Sequence, residues 1–109
     1  MICSQRDVVT VPFPFTDKPA VKKRPALVIS NTAFNRSGHT VLAMITTKGH
    51  RPWPGDSEIK EYTEAGLNLQ CQVRFKMFTL DNRLFLKKIG RLSENDSKKV
   101  KKHLHHYFS

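Results

Sequence analysis

Acidic residues are scarce in this chain: nine Asp and Glu stand against nineteen Lys and Arg, giving a formal net charge of +10. That imbalance disfavours a cationic partner and favours a polyanion, whether nucleic acid, an acidic protein or an anionic membrane surface. Long apolar runs are also missing. None approaches the ~20 residues that a membrane-spanning helix needs, and residues 1–7 hold no apolar signal segment. Only two cysteines occur, Cys3 and Cys71. They are far apart in sequence and match no metal or redox spacing, so a reduced cytosol is the simplest setting and nothing recommends a disulfide between them. Repeats, low-complexity tracts and linkers are absent. The 109 residues suit a single domain, 1–109, with one modest core.

What is present is mostly strand. Asp7 to Val11 is rich in β-branched residues and reads as a first strand. Pro12-Phe13-Pro14-Phe15 ends it as an edge or bent exit with its phenylalanines packed inwards. Thr16 to Lys23 is an exposed basic loop, and Ala26 to Ser30 a second strand. Asn35-Arg36-Ser37-Gly38 has turn composition. Thr40 to Thr46 is a nearly continuous apolar run and a buried third strand. A second long loop, Thr47 to Asp56, precedes a short strand near Ser57 to Lys60. Gln70 to Leu80 alternates cleanly: Cys71, Val73, Phe75 and Met77 on one face, Gln72, Arg74 and Lys76 on a wet cationic one. Asp81-Asn82 turns the chain into a last strand, Leu84 to Leu92. Ser93 followed by Asp96 resembles a capping box, and Val100, Leu104 and Phe108 at helical spacing predict a closing helix. The expected architecture is mainly β: a small, strongly bent β-barrel with a C-terminal α-helix.

The organising stretch is Lys22-Lys23-Arg24-Pro25 and the apolar run behind it. Pro25 lacks a backbone donor and is expected at the start of a strand; it also biases Arg24 towards an extended conformation. Arg24 is thus expected at a loop–strand junction, where a planar guanidinium suits a phosphate. A solubilising charge cluster before an edge strand explains the same residues. Thr46 and Thr47 stand where the third strand meets its loop. They read either as strand-terminal β-branched filler or, with Arg24, as hydroxyls facing a phosphate in a shared cleft.

Taken together, Asp7-Val8-Val9, Val11 through Asp17, Lys23 through Asn31, Ile45-Thr46-Thr47 and Lys76 through Asp81 resemble the MazF/PemK family of toxin endoribonucleases of type II toxin–antitoxin systems. The resemblance spans the chain from Asp7 into the terminal helix. It implies an SH3-like barrel that forms a homodimer. It also implies metal-independent cleavage of single-stranded RNA by the substrate's own 2′-hydroxyl, without a cofactor. An acidic antitoxin is the implied protein partner, with promoter DNA met only through the antitoxin complex, and no membrane role. Carried over by position, Arg24 and Thr46 match the catalytic arginine and threonine. Three departures stand out. Arg6 occupies a place where many members have glycine, and Thr32 replaces a common aspartate. No carboxylate precedes Arg24 at the spacing some members use, so Asp17, the nearest, is the possible general base.

Around that pair, Lys22, Lys23, Thr47, Lys48, Arg51, Trp53, Arg74 and Lys76 are candidate RNA-binding residues. Trp53 lies in a loop with Lys48, His50 and Arg51, a mix that suits base stacking and phosphate neutralisation; a tryptophan anchoring its own loop or a dimer partner is the competing reading. Of His103, His105 and His106, only the first and last share a helical face, with no acidic or cysteine ligand nearby, which favours a solvated helix face over zinc. Three functions compete: a sequence-selective endoribonuclease, a nucleic-acid- or antitoxin-binding module on the same fold with weakened catalysis, and a basic barrel that binds only protein. Only the first two predict salt-dependent RNA affinity.

Overall fold

The computed structural model describes residues 1–13, 22–47 and 51–109. Six strands, β1 (Asp7–Phe13), β2 (Lys22–Val28), β3 (His39–Thr47), β4 (Ser57–Ile59), β5 (Cys71–Asp81) and β6 (Lys87–Arg91), form one antiparallel sheet in the order β4-β5-β3-β2-β1-β6. The sheet is curled into a half-barrel, and helix α2 (Glu94–Phe108) packs on it. The mainly β architecture with a terminal helix is therefore as expected. Instead of a strand ladder, the turn at 61–66 meets the β6 edge. Arg91 N donates to Glu64 O at 3.4 Å. Gly66, at φ +82, lies so close that an added Cβ would stand 2.0 Å from Ile89 O, so only glycine fits this junction.

Two apolar clusters lie on the two faces of the sheet. Val8, Leu27, Ala43, Ile45, Val73, Leu92 and Val100 form one. Val9, Val11, Ala26, Val28, Leu42, Leu80 and Cys3 form the other. Alternate residues of β1, β2 and β3 feed opposite clusters, as the two-residue period of a strand requires. This is why their apolar runs are nearly continuous. The cysteines are both free and buried, one in each cluster.

β2 begins four residues before its predicted start, and Pro25 lies inside it, paired with Thr10. The backbone explains the tolerance. Val28 O accepts from Arg6 N on the β1 side, and Ile29 N donates to Val41 O on the β3 side. Alternation therefore turns the Pro25 nitrogen towards β3, and the β2–β3 ladder begins only at Ala26. No donor is needed where proline has none.

The expected turn after β2 contains a short helix, α1 (Thr32–Asn35), capped by the Asn31 side chain, which accepts from Phe34 N. The predicted last strand is shorter, because Asn82–Leu84 makes a 3-10 turn capped by Asp81. Ser93 caps α2 by accepting from Asp96 N at 3.1 Å, but the other half of the capping box is missing. Aspartate is one carbon shorter than the glutamate that reaches back in that motif. Asp96 instead accepts from Lys60 N and Glu61 N at 3.2 and 2.9 Å, tying α2 to the turn after β4. Lys99 donates to Glu58 O and His103 Nδ1 meets Ser57 Oγ at 2.7 Å, continuing the same polar stripe. Val100 is buried and Leu104 packs against the core, whereas Phe108 is exposed.

Arg6, which stands where glycine was the common residue of the resemblance, has φ +78. This left-handed conformation favours glycine. Its guanidinium compensates by donating from Nε and a terminal nitrogen to Leu92 O at 3.1 and 3.0 Å, joining the start of β1 to the end of β6.

Candidate functional site

The β2–β3 register pairs Val28 with Leu42, Leu27 with Ala43 and Ala26 with Met44. Continued two residues past the end of the ladder, it sets Arg24 opposite Thr46. Both are even-numbered positions, on the sheet face of Ala26 and Leu42. The strands part where the ladder ends, and the gap is a cavity of about 300 Å³ lined by Phe13, Arg24, Pro25, Met44, Ile45, Thr46, Thr47 and Cys71. The Arg24 guanidinium reaches over the Phe13 ring, 5.8 Å from its centroid. Phe13 is therefore not packed inwards as expected; 40% of it is exposed, and it forms a wall of the cleft. The edge or bent exit expected over residues 12–15 does not begin at Pro12, since β1 continues through Phe13 and Pro12 pairs with Lys23.

Thr46 carries the most informative polar atom. Its Oγ1 is buried and has no hydrogen-bond partner among the described residues. An unsatisfied buried hydroxyl is costly and uncommon. It lies in a cleft that also contains the exposed Arg24.

A second cavity of about 350 Å³ adjoins the first and shares Phe13, Met44 and Thr46 with it; Arg74, Lys76, Met77 and Phe78 complete its lining. The wet cationic face expected on β5 breaks here. Ala43 pairs with Met77 but Met44 pairs with Arg74, so Phe75 and Lys76 form a bulge. Arg74, just before the bulge, keeps the face that alternation gives it but is covered by the loop before β4, at 7% exposure. Its Nε and a terminal nitrogen grip Asp56 at 3.1 and 2.9 Å, and the same terminal nitrogen donates to Arg51 O. Hydrogen bonding to Asp56 pushes the already high arginine pKa further up. Arg74 thus fastens the loop before β4, and Asp56, which the sequence reading passed over, is its counter-ion. Lys76 stays exposed, with its ammonium 4.8 Å from the Trp53 ring centroid.

The other candidates spread around this centre. Lys22 and Lys23 are exposed at the start of β2, opposite Phe13 and Pro12. Thr47 is exposed at the end of β3, and Arg51 and Trp53 are exposed in the following loop. Asp17 and Lys48 lie outside the described residues, as do Pro14, Phe15 and His50. Cys71, Met44 and Phe78 were not anticipated as lining residues; Cys71 was placed on the apolar face of its strand and Met44 in a buried run. Burial pushes the Cys71 thiol up, which keeps it protonated and makes it an apolar wall rather than a nucleophile. Among the described residues no group of three His, Cys, Asp or Glu could hold a metal ion, and no helix is long and apolar enough to cross a membrane. His103 is engaged by Ser57, and His106 meets Tyr107 edge-on.

Solved structures share this fold. Toxin MazF-mt6 of Mycobacterium tuberculosis superposes with a TM-score of 0.74 at 18% identity, covering 94% of this chain and 96% of that one. MazF of Deinococcus radiodurans gives 0.73 at 19% identity over 97% and 96%. A mycobacterial endoribonuclease in complex with its cognate antitoxin gives 0.72 at 18% over 96% and 91%. At such identities the likeness establishes the fold alone. No curated protein is similar enough in sequence to count as a match. The family model of PemK-like, MazF-like toxins, however, matches residues 4–108, nearly the whole chain and both positions of the cleft pair. The chain therefore belongs to the PemK-like, MazF-like toxin family of type II toxin–antitoxin systems.

Proposed function

We propose that this protein is an endoribonuclease that cuts single-stranded RNA, inhibiting translation and growth, and is held in check by an acidic antitoxin. The observation that carries the reading is the buried Thr46 hydroxyl, unpartnered among the described residues, in the same cleft as the exposed Arg24. Attack of the substrate's 2′-hydroxyl on the adjacent phosphorus forms the new P–O bond and breaks the bond to the 5′-oxygen. The products are a 2′,3′-cyclic phosphate and a 5′-hydroxyl end. The 2′ proton leaves to a base, for which Asp17 is the candidate, and the 5′-oxygen takes up a proton. Arg24 stays ionised, so it serves as an electrostatic clamp on the phosphate as charge develops. Thr46 donates to a non-bridging oxygen. The cavity beyond Thr46, walled by Phe13, Met77 and Phe78, offers apolar surface to a neighbouring base. The exposed Lys22, Lys23, Arg51 and Lys76 neutralise flanking phosphates, with Lys48 in the same role. Two copies forming a homodimer would present the clefts together, and a formal charge of +10 suits an acidic antitoxin as well as RNA. Promoter DNA is met only through the antitoxin complex.

The test is incubation of a long unstructured RNA with the wild type and with Arg24→Ala, chelator present throughout. Discrete fragments with cyclic-phosphate ends, lost in the variant, are the expected result. Intact RNA with salt-sensitive binding would replace this reading by a binding module without catalysis.

A further inference from the structure

The described part of the loop before β4 is held by three successive residues of β5. Arg74 grips Asp56 and the Arg51 carbonyl. The Phe75 ring lies against Gly55, which has φ +83; a Cβ there would stand 2.5 Å from the ring. Lys76 places its ammonium over Trp53. In a regular strand three neighbours point to alternating faces; here Phe75 and Lys76 fall in the bulge between the Met44 and Ala43 pairings, next to Arg74, and all three reach the same loop.

Phe75 has a second neighbour. Phe108, in the last turn of α2, meets it edge-on with centroids 6.1 Å apart and planes at 67°. Phe108 is 63% exposed and so adds little to the core. The helix is secured earlier in its length, by Asp96, Val100 and His103. A continuous set of contacts therefore runs from an exposed ring on α2 through Phe75 and Gly55 to the loop that carries Trp53.

We propose that Phe75 is a positioning residue through which the last turn of α2 sets the conformation of the Trp53 loop, and with it the nucleotides accepted beside the cleft. The second half rests on the RNA reading above; the first half does not. Neither Phe75 nor Phe108 lines the Arg24–Thr46 cavity, so the device acts on selection and leaves the phosphate clamp alone.

Trp53 is the only tryptophan in the chain, so its fluorescence reports the loop without RNA. Acrylamide quenching is compared in the full-length wild type, Phe108→Ala and Phe108→Tyr. Loss of one edge-on aromatic pair is expected to raise the open-loop population roughly two- to tenfold, with an increase in quenching and little change in melting temperature. Phe108→Tyr keeps the ring and should restore wild-type quenching. Mapping of RNA ends should then show Phe108→Ala cutting at additional sites while cleavage still depends on Arg24. Quenching identical in all three proteins overturns the coupling, and changed quenching with an unchanged set of cut sites overturns the link to nucleotide selection. If the wild type cuts no RNA, the RNA reading falls, and quenching alone still decides the coupling.

Discussion

Arg24 and Thr46 are cross-strand partners in a register whose ladder stops two residues short of them, at Ala26 and Met44. The same sheet face that is sealed core at Val28 and Leu42 is an open cleft at Arg24 and Thr46. The paired part of the two strands ends before both side chains, and both line the cavity of about 300 Å³ beyond it.

The Thr46 hydroxyl, unpaired among the described residues, sets function against stability. Thr46→Val keeps the shape and removes an unsatisfied buried group, so the free protein should gain about 1 kcal/mol. Single-turnover cleavage should fall at the same time. Denaturant midpoints and cleavage rates measured on one preparation check both signs; a variant that is destabilised would mean that the hydroxyl has a partner in solution.

The Arg74–Asp56 pair is mostly buried, with side chains 9% and 17% exposed. Removing one partner of such a pair strands the other, so Arg74→Met should cost about 2 kcal/mol or more. Arg74→Lys should rescue little, because an ammonium cannot reproduce two parallel hydrogen bonds and a third to a carbonyl. Urea denaturation of the two variants decides it.

Arg6 stores strain and repays it. Glycine at this position would relax the left-handed backbone but lose both bonds to Leu92 O, so Arg6→Gly should change stability by no more than about 1 kcal/mol. Arg6→Val keeps the strain, worsens it with a β-branched side chain and also loses the bonds. It should cost about 2–3 kcal/mol. Thermal melts of the two variants should therefore differ clearly.

Asp81 accepts from the Arg83 guanidinium and from Arg83 N, and these bonds hold its pKa down to about 2. A depressed carboxylate contributes stability that is present above its unfolded value and lost as pH falls through the folded one. The contribution of this pair should therefore fade between about pH 4 and pH 2. Carboxyl NMR titration should show Asp81 near 2 in the wild type and close to an ordinary aspartate in Arg83→Ala.

Much of the fold was legible because its signals are local. The β-branched run at Asp7–Val11, the apolar run at Thr40–Thr46 and the Ser93 cap each depend on neighbours in sequence, and each became the expected element. Where the reading failed, the deciding neighbour was distant. Alternation in β5 put Arg74 on a wet face; the loop before β4 covers that face and pairs Arg74 with Asp56. Pro25 was expected at a strand start because the side on which its missing donor would fall depends on where β3 begins to pair.

The sequence by itself determined a basic, mainly β domain with a terminal helix, and it singled out Arg24 and Thr46 through the company they keep along the chain. Charge, period-two patterning and capping chemistry act within a few residues, so they survive without coordinates. Only the tertiary structure decided that these two residues share one cavity, that the Thr46 hydroxyl has no partner among the described residues, that Arg6 sits in a left-handed turn, and that the described part of the Trp53 loop is fastened by Arg74, Phe75 and Lys76. Each of those facts arises from register, bulge or burial between segments far apart in sequence, which no local pattern encodes.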